Sequence, residues 1–533
     1  MLGWHRHEPK PLPLDQVVNV AIRPQPRSFP EVPARDRKMA LLAVLVVGAI
    51  LRLQQVIQAD FPLGDGGLFY ATIDQIREAG GLPAVIAYNG ETPLVYPPLG
   101  FVVGALVSAL PGVGTEAVLR FLPALYAIAA LALVSWCAAR MTNNPVTGIV
   151  AGAIVAVMPQ SYDQLVAGGG VTRGLGMLLA LAAIGVAAGS PSSGGRGAIA
   201  GLLLGLTALA HPQVAMFALA SVAFVWWWRR TALSRVEILA TMAVTAICIV
   251  PWFALLASRG QLDALIAGGQ RADVVAGIAS LLLFPGMQAM HGGIPNVGVS
   301  LALVGVAACL FSRRWSILLW LLAVHILTCP PFVSAVAWGI AGAVGIVEIL
   351  GAVLANPAPK RAIALPISLI ALVAFLSASA SPTDPGSKQQ SLLPDQVESS
   401  RRLAELPAGA RLAVVTSEAW GNDLVGEWLP ALSGQMVITT PQGSEWLGVA
   451  AFEQRVAAHH VTEDCSRHTA NCIAAAIQRG DLDATHIVIP RGSVSGPRGP
   501  DDCCPALVET IREDTRFEIV VDDPGVLVAA WRG

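Results

Sequence analysis

The sequence predicts a polytopic α-helical membrane protein of about eleven spans, followed by a C-terminal α/β soluble domain. Three observations predict it. Of 533 residues, 54% are hydrophobic and only 13% charged, against about 25% charged in ordinary soluble domains. The mean hydropathy is +0.62, far too apolar for a disordered or fibrous chain. The charge is also unevenly spread: residues 382–533 carry 12 Lys/Arg and 21 Asp/Glu, whereas the much longer 39–381 carries 15 and 11. A soluble enzyme of this size is thereby excluded, and no basic patch of nucleic-acid type appears.

Residues 1–38 hold 7 Lys/Arg and 4 Asp/Glu and end in Arg35-Asp36-Arg37-Lys38. The segment is too long and polar for the n-region of a cleaved signal peptide. Positive charge just before the apolar run 39–57 makes that run a retained first span with the N-terminus cytoplasmic. Further spans are expected near 118–139, 145–158, 174–189, 198–210, 212–228, 236–257, 298–312, 315–333, 334–355 and 362–381. Several fall short of the ~20 residues a span needs. Arg140, Arg196, Arg229-Arg230, Arg235, Arg313-Arg314 and Lys360-Arg361 then all lie on the cytoplasmic side, as the positive-inside rule requires. Counting 94–110 as a span would break that agreement, so it is read as an interfacial or re-entrant helix, as is 274–290.

This topology puts loop 58–117 on the outer side, with Asp60, Asp65, Asp74, Glu78, Glu91 and Glu116. Loop 159–173, with Asp163, Gly168-Gly169-Gly170 and Arg173, lies there too. Residues 382–397 read as a linker and 398–533 as an extracytoplasmic domain. Within it, strands are expected at 411–417, 435–440, 485–490, 517–523 and 525–531, and helices at 450–460, 468–479 and 504–513; such alternation argues for an α/β sheet. Cys465, Cys472, Cys503 and Cys504 in an exported domain point to disulfides of open connectivity. Cys137, Cys248, Cys309 and Cys329 read as small core residues.

The chemistry-bearing stretches are Leu51-Arg52-Leu53, then Gly64-Asp65-Gly66-Gly67-Leu68-Phe69-Tyr70, then Glu91-Thr92-Pro93-Leu94-Val95-Tyr96-Pro97-Pro98. In order and spacing they resemble membrane glycosyltransferases of the GT-C superfamily, such as protein O-mannosyltransferases and the aminoarabinose transferases acting on lipid A. The resemblance covers roughly residues 39–260. It implies a GT-C-like fold in the cytoplasmic membrane, a polyprenyl-phosphate-linked sugar donor, and an envelope glycan, lipid or protein acceptor at the outer face among membrane lipids. It also implies Asp65 as the carboxylate that takes the acceptor's proton.

A poor nucleophile such as a hydroxyl needs a base, and a lipid phosphate leaving group needs cations or N–H donors. Asp65 is therefore the expected general base, Asp60 the fallback, and a cap for the helix at 68–79 the rival role. Glu91 is expected to contact the acceptor or assist the base, although Thr92 stands where aminoarabinose transferases have Lys. Arg173, Gly169 and Gly170 at a helix start suit a phosphate cradle, an interfacial anchor being the alternative. Arg52, inside the first span, is expected to pair with Asp65, to meet lipid phosphate or to snorkel. His211 is a further phosphate or acceptor contact, or a helix-turn histidine. Arg259 and Arg271 are lesser phosphate candidates, and His325 and Glu348 possible partners of each other. Trp420, Trp428 and Trp446 either stack on sugar or pack in a core. A divalent metal at Asp163 is left open, because Arg173 occupies the loop where aminoarabinose transferases carry an aspartate. The competing functions are a transporter or flippase, which one-sided charge and the lack of inverted repeats disfavour, and a non-catalytic glycan-binding relative.

Overall fold

The computed structural model describes residues 32–189, 195–228, 234–269, 296–327, 330–354, 390–492 and 503–533. The expected span at 362–381, the run 274–290, Arg271, Arg229-Arg230, Lys360-Arg361 and Cys329 lie outside the described residues.

Among the described residues, five helices are long and apolar enough to cross a membrane: Ala34–Gln58, Thr115–Thr142, Gly170–Ala187, Arg235–Ser258 and Pro331–Gly351. They coincide with five expected spans. Five more expected spans are shorter apolar helices, Pro145–Ala156, Gly195–Ala210, Pro212–Trp228, Val297–Phe311 and Trp315–Leu327. The run 94–110 contains only the ten-residue helix Leu99–Ser108, about 15 Å long against a hydrocarbon core of ~30 Å.

Small residues let these helices approach closely. A Cβ on Gly345 would fall 1.8 Å from the Gly305 carbonyl oxygen, and one on Gly305 would fall 1.9 Å from that of Gly342. The helices Val297–Phe311 and Pro331–Leu354 therefore touch backbone to backbone, the close packing typical of membrane bundles. Helix Arg235–Ser258 instead turns Leu239, Met242, Ile247, Val250 and Phe253 outward, an apolar face suited to lipid.

The C-terminal part forms a five-stranded mixed sheet. The hairpin strands β1 (Val85–Ala87) and β2 (Glu91–Pro93) precede it in the first long loop. The sheet holds β3 (Arg411–Val414), β4 (Met436–Val437), β5 (His486–Pro490), β6 (Phe517–Asp522) and β7 (Val526–Trp531), in the order β4-β3-β5-β7-β6. β3 runs parallel to β4 and β5, whereas β7 is antiparallel to β5 and β6. All five expected strands are present, with 435–440 cut to two residues. Asp523-Pro524-Gly525 makes the β6–β7 turn, closed by the Asp523 N–H donating to the Val526 carbonyl at 3.0 Å.

Alternation of period two splits the sheet's side chains between two cores. Ala413, Ile487, Ile489, Leu527 and Ala529 pack under helices Ala470–Arg479 and Pro505–Glu513. Leu412, Val414, Val437, Val488, Val526 and Val528 join a core that includes Phe61, Leu68, Ile73 and Tyr88 of the first loop. The C-terminal unit and the loop after the first helix thus share one hydrophobic core.

Two helices here escape the sequence pattern. Pro394–Arg402 begins inside the expected linker, and Leu424–Ser433 lies between two expected strands. The cysteines pair as Cys465–Cys472 and Cys503–Cys504.

Candidate active site

Three backbone layers meet at one end of the helix bundle. The middle layer is Leu63–Gly67, between the first helix and helix Gly67–Ala79. On one side lies the glycine corner: the Gly168 N–H donates to the Leu63 carbonyl at 2.7 Å, and the Gly169 N–H to the Asp65 carbonyl at 2.6 Å. On the other lies helix Leu424–Ser433. There the Gly66 N–H donates to Glu427 Oε1 at 2.7 Å, and Trp428 Nε1 donates to the Gly64 carbonyl at 3.0 Å.

Glycine makes this stacking feasible. A Cβ on Gly66 would fall 2.1 Å from Trp428 Cζ2, one on Gly67 2.2 Å from the Glu427 carbonyl oxygen, and one on Gly168 2.6 Å from the Asp65 carbonyl oxygen. Gly66 has φ −164°, outside the left-handed region, and its constraint is the contact with Trp428. Gly66→Ala is therefore expected to destabilise the protein by about 1–3 kcal/mol through overpacking, read as a lower Tm in detergent; an unchanged Tm would show that Trp428 can yield.

The Asp65 carboxylate emerges from this stack, 9% exposed. Arg173, in the first turn of helix Gly170–Ala187, grips it with two bonds: Nη1 donates to Oδ2 at 2.8 Å and Nη2 to Oδ1 at 2.6 Å. The Arg173 Nε donates to the Gln164 carbonyl at 3.0 Å, fixing the plane of the fork. Such bidentate, charge-assisted pairs are the strong ones.

Asp65 lines a cleft of about 520 Å³ whose walls come from two distant parts of the chain. Asp65, Asp163 and Gln164 come from the bundle end; Trp420, Asp423, Glu427, Thr440, Gln442, Glu445 and Phe452 are among those from the C-terminal unit. Trp420, 39% exposed, meets Phe452 edge-on at 5.8 Å. Asp423 caps helix Leu424–Ser433, accepting from the Gly426 N–H at 2.9 Å.

Burial pushes the Asp423 carboxyl above the ordinary aspartate range, with His459 beside it and the Gly426 N–H opposing. A raised folded-state pKa favours folding below the unfolded value, and that advantage is lost as pH rises through the folded value. Asp423→Asn keeps the cap without the charge. Its Tm is expected to exceed the wild-type value at pH 7–8, with the gap closing toward about pH 4; a gap independent of pH would refute this origin.

The other expected residues fall as follows. Asp163 stands in the cleft with Asp65. Gly169 and Gly170 are spacers rather than an open cradle: two corner N–H groups are spent on the Asp65 loop, and the Gly170 N–H donates to Ala167 at 2.7 Å. Arg52 does not reach Asp65. It is 2% exposed, donates to the Gly48, Ala156 and Val155 carbonyls and to Ser161, and lies over the Tyr162 ring at 4.4 Å. Buried acceptors hold its two terminal nitrogens inside the bundle, while its Nε has no hydrogen-bond partner, so neither pairing with Asp65 nor snorkelling occurs.

Glu91 is exposed in β2 and is absent from the cleft wall; the hairpin turns it to solvent. Asp60 is exposed as well. His211 caps helix Pro212–Trp228, its Nδ1 accepting from the Val214 N–H at 3.4 Å. Its ring is edge-on to Tyr96, 6.1 Å between centroids. Burial pushes the Tyr96 hydroxyl up to about 12, and it lies 3.4 Å from Thr172 Oγ1, next to Arg173.

Arg259 holds the hairpin base through the Leu82 and Pro83 carbonyls. His325 bonds the Leu321 carbonyl and Trp338, and Glu348 pairs with Arg314, so the two are not partners. Trp428 is fully buried and Trp446 packs on Tyr96, leaving Trp420 as the tryptophan of the cleft wall.

Among the described residues no three His, Cys, Asp or Glu side chains are grouped to hold a metal ion, and both Asp65 oxygens are engaged by Arg173.

Sequence reasoning missed Glu427 and Asp423. The signal was present: Asn422-Asp423 before Leu424-Val425 and Trp428-Leu429 is a capped amphipathic helix start.

A bundle of apolar helices, an acidic first loop at one end and an α/β unit packed against it make up a fold similar to that of solved GT-C glycosyltransferases. No protein-family model matches the sequence and no curated protein matches it significantly. Among solved structures, the chain is similar to the Archaeoglobus fulgidus oligosaccharyltransferase tethered to an acceptor peptide, at TM-score 0.55 and 14% identity over 84% of this chain and 69% of that one. It is also similar to ArnT from Cupriavidus metallidurans bound to undecaprenyl phosphate, at TM-score 0.51 and 15% identity over 93% and 98% of the two chains. The archaeal enzyme has further been solved with an inhibitory peptide and a dolichol-phosphate.

Proposed function

We propose that this protein transfers a sugar from a polyprenyl-phosphate-linked donor to an acceptor at the outer face of the cytoplasmic membrane. The observation that carries the reading is Asp65 in the wall of the cleft, paired with Arg173. A carboxylate from a loop and a guanidinium from the first turn of a helix meet, in a fold shared with proteins solved holding a lipid phosphate.

In the resting state Arg173 neutralises Asp65. A donor phosphate competes for the guanidinium, because phosphate oxygens also accept its fork. Asp65, released, takes the acceptor hydroxyl's proton as that oxygen bonds to the sugar's anomeric carbon. The bond from that carbon to the phosphate oxygen breaks, and the lipid phosphate leaves with the electron pair beside Arg173. The sugar passes through an oxocarbenium-like state, as in glycoside hydrolysis. The acceptor, an envelope glycan, lipid or protein, occupies the cleft.

The direct test is reconstitution in proteoliposomes with labelled polyprenyl-phosphate sugars and an envelope extract. A new glycosidic bond dependent on the protein is expected. Label crossing the bilayer without bond formation would favour a transporter, and label bound without either would favour a glycan-binding relative. Orientation has its own test. The exposed positions Glu91 and Glu405, changed to Cys, are expected to react with an impermeant maleimide in intact cells, and Ser312→Cys is not. The reverse pattern would place the cleft in the cytoplasm.

A further inference from the structure

We propose that Glu427 is a positioning residue for Asp65, which makes helix Leu424–Ser433 of the C-terminal unit an integral part of the active site. The inference rests on Asp65 being the reacting carboxylate.

The Gly66 N–H adjoins Asp65 in the chain, and it donates to Glu427 Oε1 at 2.7 Å. Gly66 precedes helix Gly67–Ala79, so its N–H has no place in that helix's ladder and would otherwise be a buried orphan. A charged acceptor makes this bond stronger than a neutral one. Glu427 is 8% exposed, so water competes little.

The same helical turn adds two more ties. The Tyr88 hydroxyl donates to the Glu427 carbonyl at 2.7 Å, and Trp428 Nε1 donates to the Gly64 carbonyl at 3.0 Å. With the Gly169 N–H on the Asp65 carbonyl, the peptide groups on both sides of Asp65 are fixed. The direction of the Asp65 side chain is thus set by a residue 361 positions from Gly66. Glu427 also lies within electrostatic reach of Arg173, so its charge and its hydrogen bond need separate tests.

Full-length protein in nanodiscs, and membranes of a deletion strain complemented with each variant, provide them. Glu427→Ala removes both bond and charge; Glu427→Gln keeps an oxygen for Gly66 and removes only the charge. For Glu427→Ala, sugar transfer with native donors is expected to fall ~10- to 100-fold, the scale of a small misplacement of a reacting group. Amide exchange of the segment 61–70 is expected to quicken about tenfold or more. Binding of undecaprenyl phosphate, used as the probe, is expected to change by less than about threefold, because Arg173 stays in place.

Glu427→Gln is expected to restore transfer and exchange to within about threefold of wild type. If Glu427→Ala is not recovered folded, Glu427→Asp, one methylene shorter, replaces it. Wild-type exchange in Glu427→Ala would overturn the inference, and so would Gln and Ala variants equally impaired, which would assign the effect to charge. Asp65→Asn in the same membranes separates the two ideas. Full transfer in that variant would remove Asp65 from the chemistry, while the exchange data would still report whether Glu427 holds its loop.

Discussion

Asp65→Asn is expected to lower the rate of sugar transfer by about 10²- to 10⁴-fold, the range a positioned general base contributes. The asparagine has nearly the same shape, and its carbonyl oxygen still accepts one bond from Arg173. The backbone seat of residue 65 depends on its carbonyl and on the neighbouring Gly66 N–H, neither of which the substitution touches. Folding and expression are therefore expected to persist, with Tm lowered because the buried Arg173 charge loses its partner, and the loss of rate to fall on kcat. Initial rates in complemented membranes, with a melting curve of the purified variant, check this. Transfer at the wild-type rate would remove the carboxylate from the mechanism.

Arg173→Ala is expected to damage both stability and activity. The pair is largely enclosed, with 14% of the Arg173 side chain and 12% of the Asp65 side chain exposed. Removing one member of a buried pair strands the other charge, at a cost of about 3–5 kcal/mol; the residual solvent access places this site at the lower end. Loss of the cation facing a leaving phosphate costs a further ~10²- to 10³-fold in rate, by analogy with losing one oxyanion-hole donor. Arg173→Lys keeps a charge without the two-pronged fork and should fall between. The decisive measurement is a double-mutant cycle with Asp65→Asn. If the pair governs stability, the double variant is more stable than Arg173→Ala alone, because the stranded carboxylate is gone. Strict additivity of the two changes would refute the pair as an energetic unit.

Much of the architecture was legible because burial in a bilayer leaves a strong local mark. Long apolar runs and the positions of Arg140, Arg196 and Arg313-Arg314 define helices whose ends differ from the observed ones by a few residues. Short continuous apolar runs at 485–490 and 525–531 likewise marked the central strands. Helix Leu424–Ser433 was hidden because its Gly426 and Pro430 weaken helix propensity and because strand-like runs flank it. The glycine corner was recognised as special for a reason the structure revises. Its glycines leave room for another stretch of backbone, and its N–H groups are spent on that backbone.

The sequence by itself determined that the chain is built for a membrane, where its apolar helices lie, that an α/β unit follows them, and that Asp65 and Arg173 merit attention. Hydropathy, charge position and turn chemistry act over a few residues and can be read locally. Only the tertiary structure decided which charge meets which. Arg173, not Arg52, holds Asp65 across 108 residues, and Glu427 reaches Gly66 across 361. A guanidinium takes whatever acceptors packing brings to it: buried carbonyls of the bundle for Arg52, an aspartate at the cleft for Arg173. That choice depends on how helices and sheet stack, and no local pattern encodes it.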